Sequence, residues 1–253
     1  NTQPAILTTS IACTRVLESF GIKADFFAGH SLGEYTALVA AETLTFERAL
    51  KLVLLRSRLM EEAVPQGVGA MAAILGLKPD LIDEICVEAS SAGLVEPANY
   101  NCPGQIVIAG YEKGVQRAIE LARIKGAKRA IPLAVSGPFH TSLMTEASLK
   151  LGEEIQKYPF ARPKAPIVAN VTAEFELEPE IIKENLILQM KKPVRWEKSV
   201  ENLYKAGAKI FIEIGPGKVL NGLIRKTVKD VLLLNVEDEA SLRNTLKKLE
   251  EVA

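Results

Sequence analysis

Between the apolar run Asp25-Phe26-Phe27-Ala28 and a helix-compatible stretch from Glu34 to Ala41 stand five residues, Gly29-His30-Ser31-Leu32-Gly33. A Gly-x-Ser-x-Gly pattern with a strand before it and a helix after it is the setting of a nucleophile elbow, a sharp turn that lifts the serine above the end of a sheet. Glycine is expected at both outer places because a side chain at either would collide with the neighbouring strand or helix. The turn would also set the Ser31 hydroxyl at a helix N-terminus, where unpaired N–H groups favour a developing negative charge. An ordinary Gly-Ser turn fits the same five residues; the flanking strand and helix are what favour the elbow.

The 253 residues are 48% hydrophobic, enough to bury a sizeable core as one large domain or as a domain with an insert. Lys plus Arg equals Asp plus Glu at 31 each, so the charge balance gives no reason to invoke a nucleic acid or an acidic polymer as partner. No run of about 18 apolar residues occurs, and the N-terminus lacks a signal-peptide pattern. A cytoplasmic protein without membrane association is expected. Cys13, Cys86 and Cys102 are too few and too scattered for a disulfide framework, and no Cys-x-x-Cys or His-x-x-x-His spacing suggests a metal. They read as reduced thiols, with neither metal nor cofactor expected.

In chain order, Asn1 to Gly21 reads as a helix, with Pro4 in its first turn and Gly21 as its stop. The elbow strand and helix follow. A second helix runs from a Thr45 cap to about Val64 and ends at Pro65-Gln66-Gly67. From Gly67 the pattern shortens: a strand Val68 to Leu75, a helix Pro79 to Ser90, strands Leu94 to Asn99 and Gln105 to Ala109 joined by Asn101-Cys102-Pro103-Gly104, a helix Glu112 to Lys125, and a strand Lys128 to Val135. The order β-α-β-β-α-β is that of a ferredoxin-like unit. Its place inside a regular α/β chain predicts an inserted small subdomain over 67–134, with the large subdomain built from 1–66 and 135–253, and a cleft between them as the natural ligand site. Beyond the insert, a short strand Ile167 to Asn170, helices Pro179 to Met190 and Trp196 to Ala206, a strand Lys209 to Ile214, a strand Val231 to Val236 and a helix Ala240 to Glu251 complete the reading. Gly215-Pro216-Gly217-Lys218 lacks the Walker spacing and reads as a tight connection lining the cleft.

Two residues stand out against this frame. On the helix after Thr45, Ala49, Leu52, Val53, Leu59, Met60 and Ala63 share one face at 100° per residue, and Arg56 falls in the middle of it. An arginine there must find an anion or reach solvent. A structural ion pair would satisfy it; so would a substrate carboxylate, which a guanidinium matches two bonds at a time. Only two histidines exist. His30 adjoins Ser31 and should point away from its hydroxyl, so a histidine base is His140 by elimination, in Val135-Ser136-Gly137-Pro138-Phe139-His140 at an expected strand-to-helix junction. A hydrogen-bonded structural histidine is the competing reading.

Taken together, Gly29-His30-Ser31-Leu32-Gly33-Glu34, Leu54-Leu55-Arg56-Ser57, Gly137-Pro138-Phe139-His140, Gln189 before Pro193-Val194-Arg195-Trp196, and Glu213-Ile214-Gly215-Pro216-Gly217 resemble the malonyl-CoA:acyl carrier protein transacylase family of dissociated fatty acid synthesis. The resemblance spans the whole chain in order and spacing. It implies an α/β-hydrolase-like large subdomain carrying a ferredoxin-like small one. It also implies Ser31 as nucleophile, His140 as base, Arg56 as the grip on the malonyl carboxylate, and Gln189 as the residue whose backbone carbonyl orients the histidine. On the same ground Phe139 limits room for an α-methyl branch, and His30 counts among the substrate-binding residues. Malonyl-CoA and acyl carrier protein are the implied partners, and a monomer is expected. Lys191, Lys192, Arg195, Lys218, Arg225 and Lys226 form either a basic rim for an acidic carrier or an ordinary solvated face.

The front of the sequence departs from the family, which begins with a strand and a Gly-Gln-Gly-Ser-Gln loop supplying one oxyanion N–H. Nothing here matches it, so Leu32 N–H is the one oxyanion donor identifiable, and a fragment is expected. A serine thioesterase would share the elbow and the histidine but give Arg56 no duty. A carrier-binding protein impaired in catalysis is the reading from another class.

Overall fold

The computed structural model describes residues 2–65, 67–135 and 137–252. The expected start at Asn1, Gln66 in the stop of the second helix and Ser136 before the histidine lie outside the described residues.

Helix α1 (Thr2–Ser19) ends two residues before Gly21, which takes φ 78°. A two-residue strand β1 (Phe27–Ala28) leads through the elbow into α2 (Leu32–Ala40). The Thr45 hydroxyl caps α3 (Phe46–Glu62) by accepting from Arg48 N–H at 3.4 Å; an N-cap hydroxyl satisfies one of the helix's orphan donors. These helices, with α6 (Thr145–Ile155) and α7 (Pro179–Gln189), enclose the largest core, which includes Leu7, Leu38, Leu52, Met144, Leu151 and Leu186. Each such side chain, fully buried, contributes about 1.5–3 kcal/mol.

The middle of the chain forms a four-stranded antiparallel sheet from β2 (Gly69–Leu75), β3 (Val95–Cys102), β4 (Gln105–Tyr111) and β5 (Arg129–Pro132), in the order β3-β4-β2-β5. Helices α4 (Pro79–Ala89) and α5 (Glu112–Ile124) complete the β-α-β-β-α-β unit. The first and third strands lie at the centre, the ferredoxin-like arrangement. Strand alternation divides its two faces: Ala72 and Ile74 face the α4 and α5 core, whereas Met71 and Ala73 face the cluster that receives Phe139. The β3–β4 turn is tighter than expected. Cys102 pairs with Gln105, so only Pro103 and Gly104 turn, with Gly104 at φ 71°, the type II pattern in which proline presets the first position and glycine takes the second. Strand β5 also stops short of Val135, so His140 follows an irregular segment and precedes a single 3-10 turn, Ser142–Met144, instead of sitting between a strand and an α-helix.

In the large subdomain β1 pairs in parallel with β6 (Ile167–Val168), which pairs antiparallel with β7 (Phe175–Glu176), a strand the sequence did not disclose. Helix α8 (Trp196–Lys205), β8 (Ile210–Ile214), α9 (Val219–Thr227), β9 (Leu232–Val236) and α10 (Glu239–Glu250) follow, with β8 and β9 parallel. Parallel strands flanked by helices give this part its α/β-hydrolase-like character. The Gly215-Pro216-Gly217 turn packs against α1, close enough that a β-carbon on Gly215 would lie 2.1 Å from Ser10 Oγ.

Candidate active site

Gly29 leaves no room for a side chain, since a β-carbon there would lie 1.9 Å from the carbonyl of Gly33. The expectation of a matching collision at Gly33 fails. Beyond its chain neighbours and the backbone of its own helix, a β-carbon there meets nothing within 4 Å among the described residues, Gly33 already lying inside α2. Ser31 takes φ 52° and ψ −106°, a conformation that costs a non-glycine residue about 1–3 kcal/mol and persists only where its surroundings hold it.

Ser31 Oγ lies 2.7 Å from His140 Nε2, and His140 Nδ1 lies 2.8 Å from the Gln189 carbonyl oxygen. A carbonyl only accepts, so the proton resides on Nδ1 and Nε2 is left to accept from the serine hydroxyl. His140 is itself at φ 62°, with its N–H donating to Met190 O at 3.1 Å. Burial, and then the charge of Arg56, push the His140 imidazole down to about 3. The ring is therefore neutral, the state a general base requires.

Arg56 is 1% exposed. Its Nη2 donates to Ser31 Oγ at 2.8 Å and to Gln189 Oε1 at 3.2 Å, its Nη1 donates to Gln3 Oε1, and its Cζ lies 5.6 Å from the centre of the Tyr35 ring. Its Nε is buried without a partner among the described residues. Among the described residues every acceptor it bonds is neutral and no carboxylate pairs with it directly, the buried Glu34 carboxyl acting on it only through space. A buried guanidinium in that condition favours an arriving carboxylate.

Leu32 is the first residue of α2, and an N–H there has no carbonyl one turn back to receive it. His30 turns away from the hydroxyl, as its position beside Ser31 implied. Its Nε2 donates to Asn101 Oδ1 of β3 at 2.9 Å, its ring meets Trp196 edge-on at 5.7 Å, and burial lowers its pKa. Phe139 is half-buried against the Met71, Ala98, Val107 and Ala109 cluster of the small subdomain, and also touches the large core. The structure thus joins Ser31, His140, Arg56 and Gln189 directly by hydrogen bonds. It places His30, Leu32 and Phe139 beside them.

Three residues at the site carried no role in the sequence reading. Gln3 holds Arg56 from α1, while Asn170 and Glu34 surround the elbow from behind. Asn170 had one usable signal, a polar residue closing the expected strand Ile167 to Asn170, at the end where parallel sheets place their functional groups; β6 itself stops at Val168, two residues before it. Among the described residues no group of three or more His, Cys, Asp or Glu could hold a metal ion, and no helix is long and apolar enough to cross a membrane.

Residues 1–250 match the family described as "Acyl transferase domain". The chain is 48% identical over 252 residues to the malonyl CoA-acyl carrier protein transacylase of Bacillus subtilis, an alignment covering 99% of this chain and 80% of that one. The crystal structure of malonyl CoA-acyl carrier protein transacylase from Clostridium perfringens superposes with a TM-score of 0.96 at 44% identity, over 99% of this chain and 79% of that one. A malonyl-transacylase solved in complex with its type II PKS acyl-carrier protein gives a TM-score of 0.95 at 45% identity, over 98% of this chain and 80% of the other.

Proposed function

The chain belongs to the acyl transferase family, and on that premise we propose that it carries a malonyl group from malonyl-CoA to the pantetheine thiol of acyl carrier protein. The observation that carries the proposal is one oxygen, Ser31 Oγ, hydrogen bonded at once to a neutral imidazole and to a buried guanidinium that lacks an anion.

In the first half-reaction His140 Nε2 takes the Ser31 proton as Oγ attacks the thioester carbonyl. The C–S bond breaks, coenzyme A leaves with that proton, and a malonyl-serine ester remains. Leu32 N–H is aimed to stabilise the oxyanion of the tetrahedral intermediate. In the second half-reaction His140 takes the proton of the pantetheine thiol, the sulfur attacks the ester, and Ser31 recovers its hydrogen. Arg56 pairs with the free malonyl carboxylate throughout, in place of its neutral acceptors. The Gln189 carbonyl fixes the tautomer of His140, the duty a carboxylate performs in a Ser-His-Asp triad. Protons and bonds balance with these side chains and the two thiols of coenzyme A and the carrier. His30 and Phe139 shape the cleft toward the small subdomain. A bulky ring beside His140 disfavours an α-methyl branch, an effect worth only about 1–3 kcal/mol. We place the reaction in the cytoplasm, in keeping with three free thiols.

Mass spectrometry of the protein after incubation with malonyl-CoA tests the central step. A malonyl adduct on Ser31 that is lost in Ser31→Ala, and that is discharged to acyl carrier protein without release of malonate, is the expected result. An adduct that persists in Ser31→Ala would sink the proposal. For the carrier, Lys191 and Lys192 follow Met190, the residue after α7, the first half-buried and the second exposed. Reversing both charges is expected to raise the apparent KM for an acidic carrier by about tenfold while leaving Ser31 acylation intact; equal loss of both steps would refute that docking role.

A further inference from the structure

Asn170 is 1% exposed, and all of its polar groups are engaged. Its Oδ1 accepts the Ser31 N–H at 2.6 Å and its Nδ2 donates to Gly29 O at 2.6 Å, so one amide clasps the backbone on both sides of His30. Its backbone carbonyl accepts from Arg195 N–H at 2.9 Å. Its own N–H donates to Glu34 Oε2 at 3.2 Å, and the same carboxylate oxygen accepts from Gln189 Nε2 at 2.8 Å. Gln189 Nε2 in turn donates to Ser31 O at 2.8 Å. The Ser31–Leu32 peptide is planar, so fixing its carbonyl on Gln189 directs its N–H, the Leu32 donor, to the opposite side. Neither Asn170 nor Glu34 makes a hydrogen bond to Ser31 Oγ or to His140.

We propose that Asn170 and Glu34 are positioning residues: together, through the Ser31 N–H and the Gln189 amide, they hold the strained Ser31 backbone so that its hydroxyl meets His140 and the Leu32 N–H faces the oxyanion. The strain at Ser31 requires such a hold, because no regular secondary structure imposes φ 52° and ψ −106°. The parallel pairing Phe27↔Ile167 and Ala28↔Val168 brings the hold into place by setting the residues after both strands side by side. Burial raises the Glu34 carboxyl to about 7. Protonated or not, it keeps an oxygen free to accept both hydrogen bonds.

The inference rests on Ser31 bearing the acyl group, and the test keeps the two apart. The single-turnover rate of Ser31 ester formation is measured by quenched flow against malonyl-CoA concentration, beside the thermal midpoint. Asn170→Ala is expected to slow the limiting rate by about 10²-fold with the half-saturating concentration changed less than about threefold, since Arg56 still meets the carboxylate. Glu34→Ala is expected to slow it by about tenfold, and Glu34→Gln, whose amide oxygen can accept both hydrogen bonds, to recover most of that rate. If Asn170→Ala does not fold, Asn170→Asp, which keeps the acceptor for Ser31 N–H and loses the donor to Gly29, and the Glu34 pair decide the matter. Wild-type acylation rates in the folded Asn170 variant, a Glu34→Gln protein as slow as Glu34→Ala, or a loss confined to half-saturation would overturn the positioning roles. A wild-type protein that forms no ester would instead overturn the acyl-serine reading itself.

Discussion

His140→Ala is expected to slow malonyl transfer to Ser31 by about 10⁴-fold while leaving half-saturation by malonyl-CoA nearly unchanged. The imidazole lies on the hydroxyl, not on the carboxylate grip, so its loss falls on the chemical step. No other residue replaces it, because the only other histidine spends its Nε2 on Asn101. The pH profile sharpens the prediction. A histidine pKa lowered to about 3 means that the free site keeps its base deprotonated as pH falls through 6.5, the ordinary histidine value. Values of kcat/KM, which report the free enzyme, should therefore show no loss near 6.5 attributable to His140. Once a malonyl carboxylate neutralises Arg56, the second cause of the lowering is offset, and the acidic limb of kcat should lie above that of kcat/KM. Across about pH 4 to 8 the expected result is a kcat/KM that stays flat while any acidic limb belongs to kcat; a kcat/KM limb lying above that of kcat would contradict the placement of Arg56 beside the base.

Arg56→Ala is expected to lower kcat/KM for malonyl transfer by about 10²–10³-fold, the cost of leaving a desolvated carboxylate unpaired. Acetyl transfer should fall far less, or rise, so that the preference between the two collapses. Two effects act in the same direction. The variant removes the partner that only a carboxylated acyl group can use. It also releases Ser31 Oγ from an N–H that, in the free site, holds one of the oxygen's lone pairs at 2.8 Å. On the proposed role a malonyl carboxylate would draw the guanidinium off that oxygen as it binds, and an acetyl group would leave it in place. Competition between malonyl-CoA and acetyl-CoA, followed by the mass of the acyl-enzyme, measures both effects, and an unchanged preference would remove Arg56 from its assigned role.

The residues that announce chemistry by type could be read directly from the chain. Ser31 sits in a pattern with few other uses, Arg56 breaks an apolar helix face, and His140 has no rival. The element order β-α-β-β-α-β was legible in the short alternation of strand and helix patterns, and that order is the ferredoxin-like one. Gln189 entered only by resemblance, and the reason is physical: it serves His140 through a backbone carbonyl, which every residue possesses and no side-chain pattern reveals. Asn170 and Glu34 escaped because their partners lie far away in sequence, 139 positions from Ser31 to Asn170 and 155 from Glu34 to Gln189. A hydrophobic period locates a strand's faces but not the residue that follows its end. Strand β7, two residues long, carries too little pattern to register at all.

The ladder between β1 and β6 has only two rungs, yet it acts as a ruler for the whole site. Successive side chains of a strand alternate between faces, so sliding one segment past the other by a single residue would present Ala169 or Val171 to the elbow in place of the clasping amide. The distance in residues from Phe27 to Ser31 is thereby locked to the distance from Ile167 to Asn170. At these two places the count of residues matters as much as their identity, and an insertion of one would disarm the serine even with every reacting side chain still in the chain.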